Sequence, residues 1–344
     1  MLTPTPSGFG PVARRPLLLC WAALAAIPVA YIVATVVATS RNVAFWDEFT
    51  SLDFVLRLDA HTGGWRALLE RFFSVDSEHR TFTTRLIFAL SYWLTGSINF
   101  HVIGAIGNLS LLALCGVMLA ATDTWERRGR LAVMLAFGLF QLEHFESFVW
   151  SGASIDHFFV LFLGGSALVL VQRNSRPALA AAALLALLAN LTLAHGCVAW
   201  PVGAALLVRA RRWQHLTAWV AVAALSLGIY FYGFQIHPSH RLAGLDAAEF
   251  KRLGEYWLAL VGSPVVLGSR RFAPFAGLIL LGGLAWLLRR GAWSREPLAV
   301  AFAALALGSL GLVAVGRVEI AGATMINSRY FVLGALAWTM TVFM

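Results

Sequence analysis

Charge is scarce in this chain. Only 12% of its 344 residues are Asp, Glu, Lys or Arg, against about one quarter in soluble globular domains. Cysteine is rarer still, with three residues. Cys20, Cys115 and Cys197 each fall in an apolar stretch and none forms a CxxC, which excludes that kind of zinc or redox motif. No soluble segment interleaves basic residues with aromatics, so nucleic-acid binding is excluded despite a net charge of +9. Internal repeats and low-complexity segments are also missing.

Apolar residues fill the space that charge leaves. They make up 59% of the chain, and mean hydropathy is +0.75. Runs of about twenty such residues are long enough to span a bilayer. The expected fold is an all-α polytopic transmembrane bundle of about ten spans, forming a single domain over 1–344 with no soluble C-terminal domain. The expected spans are 16–39, 97–121, 131–147, 153–171, 177–193, 196–209, 214–234, 273–288, 297–316 and 329–344. The pair 177–193 and 196–209 also reads as one broken hairpin. The stretch 81–95 reads as a half-span or an interfacial helix. Arg14 and Arg15 precede the first run, but that run is too long for a signal peptide and lacks an A-x-A exit. Met344 falls within an apolar run, so the native chain is expected to continue beyond it.

Arginine sets the orientation. The N-terminal tail and the short segments TWERRGR, QRNSRP, RARRW and RRGAWSRE are all arginine-rich, as cytoplasmic loops should be. Of the 17 acids, only Asp123, Glu126 and Glu296 fall on that side. The expected location is a bacterial inner membrane with a cytoplasmic N-terminus and the acids gathered outside. The first outer loop, 40–80, contains GGWRALLERFF. Its Trp65, Leu68, Leu69, Phe72 and Phe73 form an apolar helical stripe suited to the membrane surface or to packing on the bundle. A second long outer loop covers 235–272 and carries HPSH.

Four polar clusters could carry chemistry. FWDEF places Asp47 and Glu48 at the end of the first span among Phe45, Trp46 and Phe49. A local reading makes one of these acids a helix cap, worth about 0.3–1 kcal/mol. SEHR supplies Glu78, His79 and Arg80, which read either as helix-start and anchor residues or as a phosphate or acceptor site. QLEHFESFVWSGASIDHF supplies Glu143, His144, Glu146, Asp156 and His157, and reads equally as a polar cap. NSRY places Arg329 and Tyr330 at the outer start of the last run, where Arg329 either snorkels or reaches a phosphate. His195 reads as a helix-end residue. Gly196, Pro201 and Gly203 read as shaping a break.

The architecture, with WDEF at 46–49, EHR at 78–80, WSG at 150–152, GCVAWPVG at 196–203 and NSRY at 327–330, resembles the polytopic GT-C glycosyltransferases of the mannosyl- or arabinosyl-transferase type. That resemblance implies a polyprenyl-phosphate sugar donor, a glycan, lipid or protein acceptor, and inversion at the sugar carbon. It makes the acid after the first span the general base: Asp47, with Glu48 as substitute. By the same resemblance Trp46, Glu78, His79, Arg80, His144, Glu146, Arg329 and Tyr330 are candidate substrate-binding residues. A divalent ion, Mg or Mn, would fall to Asp47, Glu143, Glu146 and Asp156, although no DxD is present. The chemistry is coherent on its own terms. A carboxylate takes the acceptor's proton, cationic groups receive the leaving phosphate, and an apolar groove holds the lipid. A transporter or flippase of lipid-linked saccharide is the alternative, but it should place ionisable groups near mid-span. A non-catalytic scaffold leaves the gathered acids unexplained. Acyl transfer lacks the mid-span histidine such enzymes often use.

Overall fold

The computed structural model describes residues 11–59, 64–75, 79–234, 246–267, 269, 271–321 and 327–344. Among these residues the chain is all helical, with no β-strand. The elements in order are α1 (Pro11–Thr39), α2 (Glu48–Asp59), α3 (Trp65–Phe73), α4 (Phe82–Thr95), α5 (Phe100–Ala120), α6 (Trp125–Leu139), α7 (Phe145–Val149), α8 (Ser151–Ser154), α9 (Val160–Val171), α10 (Arg176–Thr192), α11 (Ala199–Arg209), α12 (Trp213–Phe231), α13 (Ala247–Gly262), α14 (Ala273–Arg289), α15 (Ala292–Arg295), α16 (Pro297–Ala321) and α17 (Phe331–Phe343). A π turn at Ile155–Phe159 joins α8 to α9.

Among the described residues, five helices are long and apolar enough to cross a bilayer: Pro16–Thr39, Phe100–Ala120, Ser151–Val171, Trp213–Phe231 and Pro297–Val318. The expected span 131–147 is a bent pair instead. Trp125–Leu139 and Leu142–Val149 meet at 52°, and together they make a sixth candidate. The bend falls at Phe140–Gln141, where the Gln141 amide donates back to the Gly138 carbonyl. Helices α10 and α14 are apolar but have 17 residues each, about 26 Å at 1.5 Å per residue. Helices α4, α11 and α17 are shorter still.

Burial separates central from peripheral helices. The Ser151–Val171 window is 72% buried and that of α16 61%, but α1 buries only 11% and α12 17%. Water does not tolerate apolar faces that large, so their surroundings are lipid. The chain is an integral membrane protein of helical-bundle type.

The arginine-rich segments meet at one end of this bundle. Arg127 pairs with Glu296 at 2.5 Å and lies 5.2 Å from the Phe343 ring. Arg209 donates to the Trp293 and Ser294 carbonyls, and Arg212 to those of Val171 and Gln172. From Glu296 to Arg317, α16 rises about 30 Å, the thickness of a hydrocarbon core. The residues considered next lie at that far end.

Helix α3 docks by its C-terminal end. Phe72 is buried against Phe54 and Phe82, Phe73 stacks on Phe82, and Trp65, Leu68 and Leu69 stay exposed. Arg85 from α4 caps it by donating to the carbonyls of Arg71, Phe72 and Ser74. The stretch 81–95, expected as a half-span or interfacial helix, is α4, which buries Thr83, Thr84, Arg85, Phe88, Ala89 and Ser91 in the bundle. The break between α10 and α11 is a 3-10 turn, Ala194–Val198. Gly196 is required there, because a Cβ would lie 2.1 Å from the Ala189 carbonyl oxygen.

Candidate functional site

The FWDEF turn separates its two acids. Trp46 adopts φ 49°, a left-handed conformation rare for a bulky side chain. With that twist Glu48 turns inward and is only 3% exposed, while Asp47 stays exposed. Glu48 Oε1 accepts from the Gly152 amide at 2.8 Å and from Ser151 Oγ, and Oε2 accepts from the Phe45 amide at 2.7 Å. The last is a helix-start acid reaching back to the amide three residues earlier. The other two pin the turn to the N-terminus of the Ser151–Val171 span. Burial raises the Glu48 carboxyl above its ordinary range despite these three donors, and the Asp47 charge adds to the rise. All three donors are spent on structure.

Asp47 lines a cleft of about 650 Å³, partly open to solvent, with His79, Trp150, Asp156, His157, His195, Arg317, Arg329 and Tyr330. The remaining lining is small or apolar: Ala153, Leu193, Ala194, Leu312, Val313 and Gly316. Five regions contribute: the turn after α1, the loop before α4, the π turn, the α10–α11 break and the facing ends of α16 and α17. The π turn carries Asp156 and His157, a common location for such bulges. Thr84 Oγ1 donates to Asp156 Oδ1 at 2.9 Å.

The cleft holds Arg317 and Arg329. The Arg329 guanidinium lies 5.3 Å from the centroids of both the Trp150 and Tyr330 rings. Its backbone amide donates to Glu146 Oε2 at 3.1 Å, and its carbonyl accepts from Ser147 Oγ, which fixes α7 against the start of the last helix. Burial, together with the Arg317 and Arg329 charges, lowers His79 to about 4. His157 and His195 lie with planes parallel to 3° and centroids 5.7 Å apart, and Tyr330 meets His157 edge-on at 5.3 Å. His79 Nδ1, His157 Nδ1, His195 Nε2, Arg329 Nε and Trp150 Nε1 are buried with no hydrogen-bond partner among the described residues.

An apolar groove of about 1600 Å³ adjoins the cleft, between the end of α1, the start of α5 and α7. Val36, Val37, Val43, Phe45, Phe100, Phe145, Phe148 and Val149 give it apolar walls, and Arg41, Glu48, His101, Asn108 and Glu146 are among its polar lining. Trp150 walls both spaces.

Of the expected site residues, Asp47, His79, Asp156, Arg329 and Tyr330 come together. Several others have structural places. Arg80 is buried, and its guanidinium donates to the backbone carbonyls of Tyr230, Phe73 and Tyr232, tying the end of α3 and the start of α4 to the end of α12. His144 is fully buried against Phe148, with Nε2 3.4 Å from the Gly138 carbonyl, and does not line the cleft. Glu146 positions the Arg329 backbone. Trp46 is 65% exposed, 6.4 Å from Trp150, outside the cleft lining. Glu78 lies outside the described residues. The four acids expected to hold a divalent ion do not fit that role together. Only Asp47 and Asp156 reach the cleft, and among the described residues no group of three or more His, Cys, Asp or Glu is placed to share an ion.

Sequence reasoning missed three contributors. His195, read as a helix-end residue, and His157, noted only for its neighbours, are both buried in the cleft wall. Arg317 went unremarked in VAVGRVEI, although a charge inside an apolar run is itself a functional signal. No protein-family profile matches the chain, and neither a curated protein nor a solved structure matches it.

Proposed function

We propose that this protein is a membrane glycosyltransferase that moves a sugar from a polyprenyl-phosphate carrier to an acceptor hydroxyl. The observation that carries the reading is Trp150 as the common wall of a polar cleft that holds Arg317 and Arg329 and of a largely apolar groove. A molecule with an anionic head and a long apolar chain finds adjoining places for both. The chain would lie between α1, α5 and α7, and the phosphate would face Arg317, Arg329 and His79. Asp47, at the exposed lip, would meet an acceptor arriving from water.

The reaction then proceeds by displacement. The acceptor hydroxyl oxygen attacks the anomeric carbon while its proton passes to the Asp47 carboxylate. The bond from that carbon to the phosphate oxygen breaks, and the electron pair leaves with the polyprenyl phosphate, whose gain in charge the two arginines stabilise. Attack from the side opposite the phosphate inverts the sugar carbon. In this reading the shorter apolar helices complete a bundle of about ten crossings in a bacterial inner membrane. The N-terminus and arginine-rich end are cytoplasmic, and the cleft is extracytoplasmic. The acceptor is a glycan, lipid or protein hydroxyl.

The test is transfer from a labelled polyprenyl-phosphate sugar in membranes. Asp47→Asn at equal expression should lose about 100-fold or more, the usual contribution of a general base. Full transfer by that variant would refute the assignment. Movement of the lipid-linked sugar across vesicles without a new glycosidic bond would favour transport instead.

A further inference from the structure

The cleft has two chemically different ends. Its mouth holds the charged groups Arg317, Arg329 and Asp47, with His79 beside them. Its deep end holds His157 and His195, exposed by only 4% and 3%, with apolar Leu193, Ala194 and Val313 beside them. His157 Nδ1 and His195 Nε2 are buried there with no hydrogen-bond partner among the described residues. Leaving such atoms unmet costs about 1–3 kcal/mol each, so a ligand that meets them is favoured over an empty or purely apolar filling.

We propose that His157 and His195 bind hydroxyl groups of the transferred sugar, so that the deep end of the cleft selects a neutral, hydroxyl-bearing ring. This rests on the transferase reading above. An uncharged imidazole carries one donor and one acceptor, and a hydroxyl offers the same pair in return. The two rings are parallel and 5.7 Å apart, which sets their edges at two separate positions of a ring rather than at one atom. The apolar wall residues suit the C–H faces of a pyranose or furanose. An amino sugar would bring its ammonium into the field of two guanidinium groups. A uronic acid would bury a carboxylate against the apolar wall of Leu193, Ala194 and Val313. The phosphate stays at the mouth with the arginines, so the sugar carbon lies between the histidines and Asp47.

The experiment uses the full chain in lipid nanodiscs with short-chain polyprenyl phosphates carrying glucose, mannose, galactose or arabinose. The best donor is then remade as a set of monodeoxy analogues. A site built to bond a hydroxyl rejects the analogue that lacks it strongly, so at least one deoxy position should lower kcat/KM about 100-fold or more in the wild type. His157→Leu and His195→Leu should erase that penalty. His157→Asn and His195→Gln, whose amides replace Nδ1 and Nε2 respectively, should retain much of it. If every deoxy donor stays within about twofold of the parent in the wild type, the inference is overturned whatever the variants do. It is also overturned if the leucine variants transfer but keep the full deoxy penalty. Failure of the wild type with every donor sinks the transferase reading, and this inference with it.

Discussion

Replacing Glu48 separates a clamp from a catalyst. Glu48→Ala removes the acceptor of the Gly152 and Phe45 amides and of Ser151 Oγ. Ser151 can turn to another partner, but the two amides have no side chain to replace the carboxylate. The buried Gly152 amide and the part-buried Phe45 amide left unmet cost about 2–5 kcal/mol together. Removing a carboxyl whose charge is already disfavoured by burial returns part of this, leaving about 1–4 kcal/mol. Glu48→Gln keeps one oxygen for Gly152 and Ser151 but turns an amide nitrogen toward the Phe45 N–H, for about 1–2 kcal/mol. The assay is thermal melting in detergent, read beside sugar transfer. Glu48→Ala should melt about 5 °C or more below the wild type, and Glu48→Gln by a smaller step. Exposed Asp47→Asn should melt with the wild type while losing transfer. If Glu48→Ala melts normally and is inactive, Glu48 does chemistry and the division of labour drawn from the turn is wrong.

Two further outcomes follow from particular contacts. Gly196→Ala forces a methyl onto the backbone of α10, 2.1 Å from the Ala189 oxygen and 2.3 Å from its carbon. Neither atom can yield as a side chain would, so the variant should lose about 1–3 kcal/mol or more, and transfer should fall with it because His195 adjoins the break. Protons should assist anion binding through His79. Its folded pKa of about 4 lies below the ordinary 6.5, so the unliganded protein holds the ring neutral. The associated stability is full above pH 6.5 and is lost as pH falls toward 4. A phosphodiester beside the ring raises that pKa while keeping one charge itself across this range. The affinity of a non-reactive polyprenyl phosphodiester should therefore rise from pH 7 to pH 5.5, and His79→Gln should flatten the dependence in an equilibrium binding titration. An unchanged slope in that variant would assign the proton elsewhere.

Much of the frame was legible because it depends on properties summed over many residues. A run such as 16–39 needs no single residue to announce a span, and the arginine segments gather at one end because each obeys the same rule. What failed depended on single contacts. The span expected over 131–147 bends at 52° because two residues, Phe140 and Gln141, interrupt it, and hydropathy averages across them. Arg80 looked like a phosphate ligand because a sequence shows charge but not the backbone carbonyls that consume it.

The histidines show the same limit from the other side. His79, His157 and His195 are separated by 78 and 38 residues and sit in three different local contexts: a loop, a π turn and a 3-10 break. SEHR singled out His79, but His157 and His195 form no such motif, and proximity in sequence favoured His144 beside Glu143 and Glu146. Packing chose otherwise. The bend before α7 turns His144 into the core against Phe148, whereas the break at Gly196 brings His195 into line with His157. A helix break inside a bilayer exposes backbone groups that must find partners, which is tolerated where the break lines a cavity or is buried in protein. An interrupted apolar run carrying a histidine is therefore a better marker of this cleft than a cluster of acids, and the pair at 157 and 195 satisfies it where 143–146 does not.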